Sequence, residues 1–297
     1  MVAQSRPEID ARLLRPPDLP SPRRANEKMQ TELINSGKTT VGEALKRQIN
    51  VMHAVILRDI RSRYFNHGLG FLIVPMFPVA HMGLLLAIYT IMDRRAVFGD
   101  DLILFFATGL IPVLMFTYIS RFMSVSVLAN KGMLAFPAVH LLDIVLARSL
   151  LELVGIVISI LFVLLILIAV GSDPMPQSPK DAALAILCVS VLSIGIGTIV
   201  SVISAIFPFA SMAYALFTAI IYLSSGAPIY LQSFPDILVY YCSFNPAFHA
   251  VEWVRSAYYF GYQAQYLDKT YLIGWAFGSL AVGLGMERAL RPQILNS

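Results

Sequence analysis

Apolar residues in this chain fall into long runs separated by short polar breaks. Six runs stand out: Phe71–Met92, Leu102–Val127, Leu146–Val170, Ala182–Ile206, Ala213–Leu223 and Tyr271–Ala289. Most reach the ~20 residues needed to cross a hydrocarbon core. Such segments must be helices, because lipid offers no partner to a free backbone N–H or C=O. The fifth run is short and is broken by Ser224, Ser225, Gly226 and Pro228. The pattern predicts an all-α integral membrane protein with six transmembrane helices. Ahead of them, from Val41 to Tyr64, Leu45, Ile49, Met52, Ile56 and Ile60 recur at helical spacing. Lys46, Arg47, Arg58, Asp59, Arg61 and Arg63 fall mostly on the other faces. This predicts an amphipathic helix lying in the inner interface, with its basic side on membrane lipid headgroups.

Two stretches between runs are not ordinary loops. Asn130, Lys131 and Gly132 end the second run. Met133, Leu134, Phe136, Val139, Leu141 and Leu142 then form a short apolar segment interrupted by Pro137 and followed by His140 and Asp143. A segment this apolar between spans reads either as a plain interfacial connection or as a surface that contacts a partner. The stretch from Ser224 to Lys269 is rich in aromatics and carries Pro228, Pro235 and Pro246. It predicts short re-entrant helices that dip into the outer leaflet, either as an aromatic belt or as a gate at the mouth of a pathway.

Composition agrees with membrane embedding. The chain is 57% hydrophobic and only 13% charged, where soluble domains carry roughly a quarter charged residues. Its basic residues collect in the N-terminal part and at one set of span ends, leaving Arg94, Arg95, Lys180, Arg255 and Lys269 for the other side. The positive-inside rule then places both termini in the cytoplasm. The basic residues form no folded patch, so a nucleic-acid partner is not expected. Residues 1–40, with Pro16, Pro17, Pro20 and Pro22, read as a disordered cytoplasmic tail ahead of a membrane domain over 41–297. Gly37-Lys38-Thr39-Thr40 is not a phosphate-binding loop, because Glu32 stands where the motif needs glycine. Cys188 and Cys242 lie in different environments and are not expected to pair.

Catalytic chemistry has no foothold. His53, His67, His81, His140 and His249 are scattered, and no metal-ligand spacing or nucleophile elbow occurs. His81, inside the first run, reads as a packing residue. Ionisable residues at membrane depth are functional hypotheses by default. Arg148 and Glu152, four residues apart, can pair on one helix face, although snorkelling to headgroups is the preferred reading for Arg148 and also serves for Arg121. Tyr118, Tyr214 and Tyr222, with neighbouring Phe and hydroxyl residues, offer faces and hydrogen bonds suited to sliding sugar rings. Each alone reads as helix packing.

Four stretches in order carry a family resemblance. Leu57-Arg58-Asp59-Ile60-Arg61-Ser62-Arg63-Tyr64, followed by Gly68-Leu69-Gly70, is similar to the entry motif of ABC-2-type export permeases. Gly109-Leu110-Ile111-Pro112 resembles the start of their second span. Asn130 to Glu152 resembles their coupling segment. Asn245-Pro246, with His249, Glu252 and Arg255, resembles their outer helical region. The resemblance is to the capsular-polysaccharide branch. It implies a non-catalytic permease subunit in the inner membrane, paired with a second copy of itself. ATP and Mg would be bound by a separate ABC ATPase subunit, with no cofactor on this chain. It implies a lipid-linked polysaccharide as cargo, with periplasmic and outer-membrane export partners. Asn130, Lys131, Met133, Leu134, Phe136, Pro137 and His140 are then the ATPase-coupling residues. Arg58, Asp59, Arg61, Arg63 and Tyr64 belong to the interfacial helix. Tyr118, Arg121, Tyr214, Tyr222, Asn245, His249, Glu252, Trp253 and Arg255 are candidates for the pathway or outer gate. The competing readings are an ABC-2 permease for O-antigen, a lipo-oligosaccharide or a drug, a non-transporting scaffold, and a membrane enzyme on a lipid-linked glycan. The last requires paired acidic residues at one membrane face, which the sequence does not display.

Overall fold

The computed structural model describes residues 41–63 and 73–296. Tyr64, Gly68-Leu69-Gly70, Phe71 and residues 1–40 lie outside them. The chain divides after Ile49 into two units. The described part of the first, residues 41–49, is helical and exposes Leu45 and Ile49. Everything below concerns the second, Asn50–Ser297.

Among the described residues the chain is entirely helical. Helix α1 (Val41–Arg63) leads to α2 (Ile73–Ile91) and α3 (Leu102–Met123). A short α4 (Ser126–Asn130) runs into a 3-10 turn over Lys131–Ala135. Two long helices follow, α5 (Leu141–Val170) and α6 (Pro179–Ile206), then the shorter α7 (Phe209–Ser224). Two small helices, α8 (Asp236–Cys242) and α9 (Pro246–Tyr258), precede the last, α10 (Lys269–Asn296). Among the described residues four stretches are long and apolar enough to cross a membrane: Ile73–Ile91, Leu102–Ala135, Leu141–Val170 and Pro179–Ile206. Helix α7 is a shorter apolar helix.

Helix boundaries follow local chemistry. Asp101 caps α3 by accepting from the N–H groups of Ile103 (2.8 Å) and Leu104 (3.2 Å). Gly171, at φ +87°, ends α5 in the left-handed conformation that glycine adopts without strain. Helix α5 begins five residues before the apolar run does. The Asp143 carboxylate accepts the backbone N–H of His140 (2.9 Å) and anchors that first turn. At 1.5 Å per residue its 30 residues extend about 45 Å, well beyond a hydrocarbon core of about 30 Å. Its first three turns therefore carry Asp143, Arg148 and Glu152 into the interface.

Helix α3 is the hub, buried along most of its length. Helix α6 packs against it and, more extensively than any other pair, against α10. Gly195 makes that second crossing possible. A Cβ there would lie 2.5 Å from the backbone nitrogen of Leu280, and one at Gly283 3.1 Å from the carbonyl of Gly195. By contrast α7 buries only Tyr214 and Thr218 and exposes Phe209, Met212, Leu216, Ile220 and Leu223. One stripe of α5, from Leu150 through Val157 and Leu161 to Ile168, is likewise apolar and exposed. In water these faces would be unfavourable. In a bilayer they are the surface that lipid or another helix contacts. The segments 93–101, 171–178 and 224–268 gather at one end of the bundle, here the far end. The segment 130–140 and the start of α5 define the near end. Cys188 and Cys242 are both free thiols.

Candidate functional site: a buried ionic anchor beneath an exposed apolar loop

At the near end α1 is tied to α5 by charge. Arg148 on α5 is 1% exposed. Its Nη1 donates to the Asp59 carboxylate of α1 at 3.2 Å, and its Nη2 contacts the Glu152 carboxylate one turn along α5. Asp59 and Glu152 are also buried. Snorkelling of Arg148 is therefore overturned, because the guanidinium is enclosed by two carboxylates instead of reaching headgroups. The expected pairing with Glu152 is present. Asp59 lies on the buried stripe of α1, with Val55 and between Ile56 and Ile60, and not with the solvated basic residues. The structure thus brings two acids to one membrane face, which the sequence did not display. Both contact one arginine in a buried setting, forming an ion cluster.

A charge-assisted hydrogen bond lies beside it. Arg58 Nη1 donates to Asn130 Oδ1 at 2.7 Å, while Asn130 Nδ2 donates to the Ser126 carbonyl at 2.9 Å. Asn130 is buried and fixes the end of α4 to α1. Val127 N–H donates to Ser201 Oγ on α6 at 3.2 Å. Arg61 is exposed on α1, and Arg63 is its last residue.

The predicted coupling segment therefore divides in two. Asn130 is an anchor, Leu134 packs against the core, and Lys131 and Met133 are half-buried. Phe136 is 63% exposed, Pro137 and Ala138 are exposed, and His140 points its ring nitrogen at Asp143 (3.3 Å) from an exposed position. Turn bonds from Phe136 N–H to the Met133 carbonyl (3.1 Å) and from Val139 N–H to the Phe136 carbonyl (3.0 Å) shape this loop. Phe136 is thus an apolar side chain held out to the surroundings on a hydrogen-bonded loop.

The candidate pathway residues sit apart from this cluster. Tyr214 is buried, its hydroxyl donating to Ser120 Oγ at 2.7 Å. Arg121 donates to the Ser211 carbonyl at 2.8 Å and to Ser124 at 3.3 Å, tying α3 to α7 without snorkelling. Tyr118 is half-buried and stacks on Phe122. Tyr222 meets His81 Nε2 at 2.9 Å, so the packing role of His81 includes a polar tie between α2 and α7.

The remaining five converge at the far end, on or beside α9. Asn245 caps α9 through the Ala247 N–H (2.9 Å) and donates to the Ile221 carbonyl (2.8 Å), closing the end of α7 as well. His249, Glu252 and Arg255 recur every three residues, share one face and are all buried. Nε2 of His249 donates to the Ser243 carbonyl (2.7 Å), and Nδ1 accepts from the Asp268 N–H (3.1 Å). These bonds fix one neutral tautomer. Burial holds its pKa below the usual 6.5, against the pull of the Ser243 bond and the Asp268 charge. Glu252 accepts from Gln232 (2.6 Å) and Tyr262 (2.8 Å). Burial pushes its carboxyl above the usual range, opposed by Arg255 and those two donors. Arg255 donates to the carbonyls of Gly226 (2.9 Å) and Ala227 (3.1 Å) and lies over the Phe105 ring at 4.5 Å. Trp253 donates to Asp181 (2.9 Å) and lies beneath the Lys269 ammonium. Phe98, Tyr230, Tyr259 and Tyr262 pack as an aromatic knot, with Phe98 5.1 Å from Tyr262. Gln232, Tyr262, Asp181 and Phe98 complete this assembly, and nothing in their local sequence marks them. Among the described residues no group of three His, Cys, Asp or Glu could hold a metal ion.

The described residues thus form an all-helical domain with four apolar stretches long enough to cross a membrane, a buried ionic anchor and an exposed near-end loop. The profile of the ABC-2 type transporter family matches residues 51–259, and the chain belongs to that family. It is 30% identical over 247 residues to the polysialic acid transport protein KpsM of Escherichia coli, covering 83% of this chain and 95% of that protein. It is 26% identical over 261 residues to the capsule polysaccharide export inner-membrane protein CtrC of Neisseria meningitidis serogroup B, covering 86% and 98%. It is also 23% identical over 265 residues to the capsule polysaccharide export inner-membrane protein BexB of Haemophilus influenzae, covering 86% and 98%.

Proposed function

We propose that this chain is the transmembrane permease subunit of an ATP-driven exporter that moves a lipid-linked capsular polysaccharide across the inner membrane. The observation that carries the coupling mechanism is the exposed Phe136-Pro137 loop mounted on the Asp59–Arg148–Glu152 cluster. Similarity to capsule export proteins over more than four-fifths of the chain supports the cargo class. In this reading a tail over 1–40 precedes a permease domain over 41–297, and both termini are cytoplasmic. Helices α7 and α10 join the four longest apolar stretches as the fifth and sixth crossings, and two copies pair around a pathway. A separate ATPase subunit binds ATP and Mg and seats on the loop. Its closure pushes the loop and, through Arg148, moves α1 and α5 together as one body. Tyr118, Tyr214 and Tyr222 face the sliding polymer. Asn245, His249, Glu252, Trp253 and Arg255 hold the outer gate in shape. Periplasmic and outer-membrane proteins receive the polymer.

The test is co-purification with the ATPase encoded beside this chain, followed by ATP hydrolysis assays in the presence of capsular polysaccharide. A stable complex with two copies of each subunit, stimulated by its glycolipid cargo, is expected. If no ATPase is captured in a detergent that keeps the chain folded, the reading fails. A complex stimulated only by another cargo assigns a different ABC-2 branch.

A further inference from the structure

A cavity of about 220 Å³ lies between α3, α5, α6 and α9 in the half of the bundle away from the coupling loop. Its walls are almost wholly apolar. Thr108 is one of the few polar residues there, and its hydroxyl is bonded to its own helix at the Leu104 (3.0 Å) and Phe105 (3.1 Å) carbonyls. A water needs two to four polar partners to remain in such a place, and a sugar needs more. Left empty, the cavity would forfeit the dispersion contacts of its lining. It is also reachable from the side: Ala183 on its rim is exposed, while Thr108, Ala182 and Val254 on its walls are buried. The medium beside these spanning helices is hydrocarbon. Lys180 is exposed one turn before Ala183 on the same helix, at the interfacial end of α6. Its ammonium is placed for an anionic headgroup.

We propose that this cavity is an acyl-chain site for a glycerophospholipid of the far leaflet, with one tail inserted past Ala183 and the phosphate held by Lys180. The lipid then wedges α5 and α6 apart beneath α9 and ties the far-end segment to the bilayer. The inference rests on membrane embedding and is independent of the cargo.

The test reconstitutes the full chain in nanodiscs of phosphatidylethanolamine and phosphatidylglycerol, with a trace of phosphatidylglycerol bearing a diazirine midway along one tail. Such discs contain no export cargo, so any label comes from phospholipid. After illumination, peptide mass spectrometry should find label on the buried wall residues Thr108, Ala182 or Val254. Ala183→Trp should abolish that interior label while leaving label on the lipid-facing Val157 and Leu161. Lys180→Glu should lower interior labelling from phosphatidylglycerol more than from an equivalent phosphatidylethanolamine probe. Label confined to Val157, Leu161 and other lipid-facing positions in the wild type overturns the site. Interior label unchanged by Ala183→Trp also overturns it. Should that variant fail to reconstitute, the wild-type labelling pattern alone decides.

Discussion

Asp59 of α1 and Arg148 of the long apolar helix α5 meet at 3.2 Å across 89 residues of sequence. Both are buried, so neither charge is solvated by water. Each carboxylate of the Asp59–Arg148–Glu152 cluster contacts the arginine. Removing one member of a buried pair strands the other and costs about 3–5 kcal/mol, whereas replacing the whole group by neutral residues is often far cheaper. Arg148→Met should therefore lower the unfolding midpoint of the detergent-solubilised chain sharply. The triple variant Asp59→Asn, Arg148→Met, Glu152→Gln should recover much of that loss. Both variants being equally destabilised would show that the cluster is not an interacting unit.

Gly109 faces the turn that Arg255 holds. A Cβ at this position would lie 2.6 Å from Arg255 Nη2 and 2.8 Å from the Ala227 carbonyl. The second neighbour is backbone and has little room to yield. Gly109→Ala should cost about 1–3 kcal/mol, the range for overpacking a filled site. Adding Arg255→Ala removes only one of the two clashes, so the double variant should be less stable than wild type but clearly non-additive. Thermal unfolding of the four chains in one detergent checks this, and simple additivity would contradict the shared contact.

The helical class and the segments flanking the spans were legible because lipid imposes a strong pattern on sequence. Uninterrupted apolar runs placed α2, α3, α5 and α6, and Gly109, Asn130 and Arg255 fell in segments flagged by their residues. Side-chain roles were less legible because they depend on partners far along the chain. Nothing near Arg148 announces Asp59, so solvation by headgroups looked sufficient until the fold supplied a carboxylate. Glu252 stood out through its spacing from His249 and Arg255, but its partners Gln232 and Tyr262, which carry no motif, did not. The early start of α5 was missed because its first turn is held by Asp143 and not by apolar patterning.

His249 makes a pH prediction whose sign follows from its neutral state. Its folded pKa lies below the ordinary 6.5, because burial opposes the charge. The unfolded chain therefore binds the extra proton more readily. The stabilisation from neutral His249 is complete above about pH 6.5 and declines as pH falls below that value. Protonation of Nδ1 also removes the acceptor for the Asp268 N–H. The unfolding midpoint should drop between pH 7.5 and 5.5, roughly the interval over which His titrates, and His249→Gln should flatten that slope. Glu252, with its raised pKa, acts in the opposite sense, losing stabilisation as pH rises through its folded value. Glu252→Gln should therefore steepen the acid-side loss. A slope insensitive to His249→Gln would place the titrating group elsewhere.

Phe136 tests the coupling loop without disturbing the fold. It is 63% exposed, and its ring adds little to the chain's own packing. Phe136→Asp should leave insertion, yield and the Asp59–Arg148 contact unchanged, since the ionic anchor lies under the loop and not in it. At a docking surface the same change buries a charge against an apolar pocket and removes an aromatic anchor, which costs about 2 kcal/mol or more of association energy. Co-purified ATPase and cargo-stimulated hydrolysis should therefore fall together, with the permease still folded by thermal unfolding. Leu134→Asp, two residues earlier, should behave differently. It places a charge against the packed core and should reduce folded yield before any effect on coupling can be read. Normal export by Phe136→Asp would mean that the loop does not transmit the ATPase's motion, and the contact would have to lie on the exposed part of α1 instead.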